Sequence, residues 1–246
     1  MTSTEWWTEL KSITLHVEGD QPPYWAAGAS EEYRAARREL LEAEQALRDQ
    51  VEAVAARRRA LPPGPVLPEY RFAASGDETV SLRTLFGEHD QLLVYHLMFH
   101  PDDPTPCAMC ALWVDGLHGV RKHLAQRTGL AVIAKARIDT LSEYAERRGW
   151  AGLRLVSAFD EPGFLRELGV EGSNGGLFPA LSVFARDGEQ VRHVLTQPAN
   201  YPDGSERGMD RISPVWQALD LLPAGRDDWL PNNIYPMRRG GFERAR

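Results

Sequence analysis

Cysteine is almost missing from this chain. Of 246 residues only two are cysteines, and they stand three positions apart, as Cys107-Ala108-Met109-Cys110. So small a complement excludes a scaffold stapled by several disulfides, and a bridge across so short a loop adds little stability. Also lacking is any run of roughly 20 apolar residues, the length a helix needs to span a bilayer, so no membrane association is expected. Met1 to Trp7 carries no basic segment leading into an apolar one. No secretory signal is therefore read there, and the expected location is the cytoplasm. Positive charge is in deficit: the net charge of −7 argues against a nucleic-acid partner, because phosphate backbones are held by excess Lys and Arg. The basic run Arg57-Arg58-Arg59 follows a glutamate-rich segment and reads as a solvated last helical turn. Glycines cluster at Gly172-Ser173-Asn174-Gly175-Gly176, but no Lys-Ser/Thr follows as a phosphate loop requires, and no G-x-G-x-x-G opens a helix. Internal repeats and low-complexity tracts are absent too.

The apolar fraction of 43% and the charged fraction of 26% are those of a globular protein able to bury a sizeable core. Residues 1–29 mix aromatics, prolines and glycines without a sustained period and read as an irregular arm. Ser30 is placed as an N-cap before Glu31 and Glu32, and residues 30–60 read as one long amphipathic helix of roughly 40 Å. Its stripe of Tyr33, Leu40, Leu47 and Val54, with Leu41 and Val51, suits either packing along its own domain or a homodimer. Leu61 to Pro65 ends the helix as a stiff linker. Residues 66–225 then alternate strands and helices, which means a mixed sheet with helices on both faces. A hairpin is expected from Tyr70 to Leu82, and strands at 92–99, 130–136, 153–157, 180–185 and 191–195. Helices are expected at 107–127, 139–148, 161–168 and 214–219. The turn at Asp187-Gly188 makes the last two strands antiparallel. Residues 226–246 read as a solvated tail.

The cysteine pair falls between a strand and a helix. Cys110 shares an inward stripe with Trp113, Leu117, Val120 and Leu124, whereas Cys107 lies at the helix start, where unpaired N–H groups and the helix dipole stabilise a thiolate. In a reducing compartment such a pair is catalytic, redox-sensing or metal-binding rather than a staple. The expected division of labour has Cys107 attacking and Cys110 resolving the mixed disulfide. Phe178-Pro179 opens the strand that enters the final hairpin. A cis bond at Pro179 would hold backbone against the sulfurs for an extended substrate. Phe178, Pro179, Pro106 and Trp113 are accordingly expected to shape the site.

Several segments together resemble one family: Glu31 to Arg37, Leu82 to Gly87, Val94 to Phe99, the pair with Trp113-Val114-Asp115-Gly116, Leu181 to Gly188, and Gly225-Arg226-Asp227. From about Ser30 to Trp229 the chain is similar to the predicted dithiol-disulfide oxidoreductases, a bacterial family with a thioredoxin-like fold. The resemblance implies a thioredoxin-like mixed central sheet flanked by helices behind an N-terminal helical arm. It implies exchange with protein or small-molecule thiols and disulfides, without a cofactor. The dipeptide Ala108-Met109 departs from the Gly-Pro of thioredoxin and the Pro-Ser of many family members, which leaves the redox potential open. Thioredoxin's buried carboxylate has no counterpart on the preceding strand, which offers Tyr95 and His96, and His96 is the candidate for proton transfer.

Two other readings compete. Pro101-Asp102-Asp103-Pro104-Thr105 before Cys107 resembles a peroxiredoxin loop, but only Pro106 separates Thr105 from the cysteine where that loop wants two residues. A metal module would recruit two of His96, His100, His118 and His123 to the thiols, at a loose spacing. A non-enzymatic interaction module on the same scaffold is the third alternative.

Overall fold

A computed structural model describes residues 24–76 and 78–233. Most of the expected N-terminal arm and the end of the expected tail lie outside these residues. The chain divides into two compact units, Met1–Leu61 and Pro62–Arg246.

The first unit is built on helix α1, Glu31–Arg59. The Ser30 hydroxyl accepts the Tyr33 N–H at 3.2 Å, which satisfies one orphan donor of the first turn. Glu31 and Glu32 sit at its positive end and Arg57 to Arg59 at its negative end, as the helix dipole favours. No residue of α1 is buried. Tyr33, Leu40, Leu47, Val51 and Val54 of the stripe are all exposed.

The second unit begins with chain pinned to the sheet rather than with a free spacer. His193 N–H donates to Pro65 O at 3.1 Å, and Arg192 donates to Gly64 O at 3.2 Å. A Cβ at Gly64 would stand 1.8 Å from His193 O, so only glycine passes this close.

The strands are β1 Arg71–Ala74, β2 Glu78–Ser81, β3 Gln91–Leu97, β4 Gly129–Ala134, β5 Arg154–Ser157, β6 Ala180–Asp187 and β7 Gln190–Pro198. They form one sheet in the order β2-β1-β5-β4-β3-β6-β7. β3, β4 and β5 are parallel. β6 runs antiparallel to β3, and β7 antiparallel to β6. The helices are α2 Ala108–Leu124, α3 Ile138–Arg148, α4 Pro162–Glu167 and α5 Pro214–Leu219. α2 and α3 supply the crossovers that parallel neighbours require. This is the expected thioredoxin-like α/β arrangement, a mixed sheet flanked by helices with a long helix ahead of it.

Alternation along the central strands sorts side chains into two cores. Leu92 and Val94 of β3, with Ile133 and Phe184, pack against Phe72 and Phe164 on one face. Tyr95 and Leu97, with Val132 and Leu181, pack on the other face against Cys110, Trp113 and Val114 of α2 and Tyr144 of α3. This parity decides which polar groups of β3 can reach the thiols.

The first part of the expected tail is not free. Trp229 packs edge-on against Trp216 with ring centroids 5.7 Å apart. Arg226 binds Asp210 at 2.5 Å and Asp220 at 2.6 Å.

Candidate redox site

Cys107 is the N-cap of α2, in extended geometry (φ −52°, ψ 128°). Its own N–H donates to Met98 O at 3.0 Å, just beyond β3, and its carbonyl accepts the Ala111 N–H at 2.9 Å. The nucleophile candidate is thereby fixed between a strand end and the first helical bond. Cys107 is part-buried and Cys110 buried, and the two thiols are not bridged.

The electrostatics of the pair are asymmetric. The Cys110 thiol, which can donate to the Cys107 sulfur, pulls the Cys107 pKa down to about 6; burial opposes this, and the N–H groups of Cys110 and Met109 assist it. These N–H groups are orphan donors of the first helical turn. Cys110 moves the other way. Sharing its proton with Cys107, burial, and the charge on Cys107 all push its pKa far above the usual thiol range. The Met98 backbone and the Tyr95 hydroxyl exert a smaller pull in the opposite sense. One proton is thus held between two sulfurs, and it resides on Cys110.

Cys107 opens into a cleft of about 420 Å³, which is also lined by His100, Thr105, Pro106, Gly175, Gly176 and Leu177. The glycine-rich segment therefore has a place in the site, as one wall. Its flanks are tied down: Glu171, whose carboxylate is fully buried, binds Lys135 Nζ at 2.6 Å and Arg166 at 3.4 Å, and Phe178 N–H donates to Val170 O at 2.9 Å.

The other expected site residues divide. Pro106 lines the cleft beside Cys107. Trp113 is in the core with Cys110 and is not among the cleft's lining residues. Phe178 is exposed and borders a different, small hollow together with Met98 and Leu177. Pro179 starts no cis turn, because no cis peptide bond occurs among the described residues. Its carbonyl accepts the Ala199 N–H at 3.0 Å, so it is part of the β6–β7 edge, and Leu177 is the residue of this segment that meets the cleft.

His96 is on the wrong face for proton transfer to the thiols. Tyr95 points toward Cys110, so the next residue points away, and His96 indeed lies beside Phe164 with centroids 6.1 Å apart. There its Nε2 pairs with Ser182 Oγ at 2.8 Å. Ser182 continues to Thr196 at 2.7 Å, and Thr196 to His193 at 2.9 Å. Burial, aided by the nearness of His193, lowers the His96 pKa to about 3, which keeps the ring neutral near pH 7. The ligand set of the metal reading is not assembled either. His96 is across the sheet, His118 Nε2 is paired with Ala151 O at 3.0 Å, and no group of three or more His, Cys, Asp or Glu gathers among the described residues.

Tyr95 on β3 is named from the sequence, but the proton-transfer role is assigned there to His96, and Asn233 is missed altogether. Tyr95 Oη is sealed in the core without a complete hydrogen bond, facing Cys110. Asn233 lies 127 residues beyond Pro106 in sequence, yet donates from Nδ2 to Pro106 O at 2.9 Å. Its Oδ1 accepts from Tyr144 Oη at 3.1 Å. Strand parity could have singled out Tyr95; no sequence pattern points to Asn233.

Fold and site together define a thioredoxin-like α/β domain with a C-x-x-C pair at a helix N-terminus. The chain belongs to the family described as "Bacterial protein of unknown function (DUF899)", which matches residues 25–239. A comparison with curated proteins returns no match. Among solved structures, a PrxQ mutant from Xylella fastidiosa is similar at 16% identity, with a TM-score of 0.43 over 55% of this chain and 84% of that one. A peroxiredoxin Q mutant from Xanthomonas campestris shares 20% identity, with a TM-score of 0.42 over 61% and 90%. A thiol peroxidase from Chromobacterium violaceum shares 19%, with a TM-score of 0.40 over 56% and 76%. No helix among the described residues is long and apolar enough to cross a membrane.

Proposed function

We propose that the protein is a thiol–disulfide oxidoreductase in which Cys107 attacks and Cys110 resolves. The observation that carries this reading is the asymmetry of the pair. Cys107 stands at the floor of an open cleft with its pKa at about 6, whereas Cys110 is sealed behind it with its proton retained. An exposed thiolate with a buried thiol beside it is what two-step exchange needs.

In the first step the Cys107 thiolate attacks one sulfur of a substrate R–S–S–R′. The Cys107–S–R bond forms and R′S⁻ leaves. In the second, Cys110 yields its proton to R′S⁻ and its thiolate attacks Cys107 Sγ, expelling RS⁻. The substrate gains two electrons, and Cys107 and Cys110 are oxidised to a disulfide, which a thiol reductant restores. The cleft's Gly175–Gly176 wall exposes backbone without side chains, which suits an extended peptide or a small disulfide as substrate. A cytoplasmic setting belongs to the same proposal, since it would keep the pair reduced.

The peroxidase alternative draws on Thr105, which shares the cleft with Cys107. No Lys or Arg is among the described residues lining that cleft, so the developing charge of a cleaved peroxide would lack a cationic partner. The test is trapping with glutathione disulfide. Cys110→Ser should stall as a one-to-one glutathione adduct on Cys107 by mass spectrometry, while the parent protein proceeds to its internal disulfide. Rapid peroxide consumption by the parent without exchange would decide for the peroxidase.

A further inference from the structure

Tyr95 is a buried polar group that the two-step scheme leaves unused. Its side chain is wholly enclosed, and its hydroxyl meets no nitrogen or oxygen partner, only the Cys110 sulfur. Leaving such a donor unsatisfied is costly, so a buried hydroxyl without a partner calls for an explanation. The polar group it faces is the Cys110 sulfur. Both side chains belong to the same core cluster between β3 and α2. On that side of the sheet the strand before the thiols presents neither a carboxylate nor an imidazole, because His96 points the other way.

We infer that Tyr95 is the hydrogen-bond donor that stabilises the Cys110 thiolate while it resolves the mixed disulfide. The inference rests on the disulfide-exchange reading and names a further residue for it. While Cys107 is a thiolate, the Cys110 proton is committed to it, and the phenol has only a weak acceptor. Once Cys107 is bonded to substrate sulfur, Cys110 must surrender its proton inside the core. A thiolate there is costly unless donors converge on it. The Met98 backbone supplies one such contact and Tyr95 Oη–H the second. Burial and the neighbouring thiols hold the phenol's own pKa well above its usual value, so Tyr95 keeps its proton and acts as donor, not base. The hydrogen bond that is incomplete in the resting protein is completed in the reactive one.

Tyr95→Phe tests this, since it deletes one oxygen and leaves the ring. With glutathione disulfide as probe, stopped-flow and mass spectrometry separate attack from resolution. The variant should attack at the parent rate, with an unchanged half-point near pH 6, but resolve about tenfold more slowly, as one lost charge-assisted hydrogen bond dictates. Its mixed disulfide should accumulate. Resolution within twofold of the parent, or an equal slowing of both steps, overturns the inference. A parent protein that glutathione disulfide never converts to the Cys107–Cys110 disulfide overturns the exchange reading and the inference with it, a result told apart because it needs no variant. Should Tyr95→Phe not fold, the Tyr95 hydroxyl proton of the parent protein serves instead. With Cys107 blocked by alkylation, that proton's NMR resonance should move downfield as Cys110 ionises with rising pH, and an unmoved resonance overturns the inference.

Discussion

The sharpest consequence of the pair's geometry is how Cys107 should react as pH falls. A free cysteine thiol titrates near 8.5, whereas Cys107 is lowered to about 6, chiefly by the Cys110 thiol and then by N–H groups at the start of α2. At pH 7 the thiolate fraction of Cys107 should exceed that of a free thiol about 30-fold. Reactivity does not rise in proportion, because a thiolate of lower pKa is a poorer nucleophile. With a Brønsted slope of about 0.45, the difference in pKa removes about 13-fold. The net advantage at pH 7 is therefore only about twofold. At pH 5 the fractions differ about 290-fold, and the advantage grows to about 20-fold. A single-rate comparison at neutrality would miss the effect. The assay is the rate of exchange with a dipyridyl disulfide from pH 4 to 9, with glutathione as reference thiol and Cys110→Ser as control. The rate for Cys107 should reach half its plateau near pH 6. Cys110→Ala, which unlike Ser leaves no donor at this position, should move that midpoint upward, since the largest stabilising contact is lost. A midpoint near 8.5, or a ratio close to one at pH 5, refutes the assignment of Cys107 as the nucleophile.

Three further outcomes follow from single contacts. Glu171→Gln strips the buried charge that pairs with Lys135 and Arg166. It should cost about 3 kcal/mol by urea unfolding, the low end for a broken buried pair because Lys135 is partly solvated. Asn233→Ala removes the tie from Tyr144 to the Pro106 carbonyl. It should cost about 1–2 kcal/mol and slow Cys107 attack on glutathione disulfide more than it lowers stability would imply, because the residue preceding the nucleophile is released. His96 is shifted in the same direction as Cys107, and its linkage to stability has the same sign at lower pH. Its folded pKa of about 3 lies below the unfolded value near 6.5, so the unfolded chain binds the extra proton between those limits. Stability should then fall by about 1.4 kcal/mol per pH unit as pH drops below 6.5. His96→Gln should remove that slope in pH-dependent unfolding, and an identical slope in the variant would show that His96 is not the group responsible.

Much of the fold is legible because its signals are local. The hairpin turn at Gly188, with positive φ, the apolar strands and the helix starts each carry their own periodicity or cap. β6 and β7 nevertheless run past the expected 185 and 195, reaching Asp187 and Pro198, because ladder bonds continue through polar residues once strands are paired. The stripe on α1 is equally legible as a pattern, but a pattern of one chain does not name what covers it.

The site is legible to a different depth. Spacing alone placed Cys107 at a helix start and Cys110 on the inward stripe. Choosing between Tyr95 and His96, however, requires knowing which face of β3 meets α2. Ordinary pKa values favour the histidine, whereas strand parity excludes it, and parity wins because a side chain cannot cross its own sheet. The consequence is chemical. A neutral histidine locked into a Ser182–Thr196–His193 chain on the far face leaves the thiol side of the sheet with a phenol. A phenol that keeps its proton cannot take one from Cys110; it can only steady the anion after the proton has gone. Under the proposed exchange scheme the proton passes to the substrate thiolate freed in the first step, which couples resolution to that thiolate. Substrates with more acidic first-leaving thiols should consequently be attacked faster but give mixed disulfides that resolve more slowly, a trade-off that a general base beneath the cysteines would abolish. Rates of both steps across a series of aromatic and aliphatic disulfides would measure it, and resolution rates independent of the leaving thiol would hand the proton instead to His100 or Asp103, which line the same cleft.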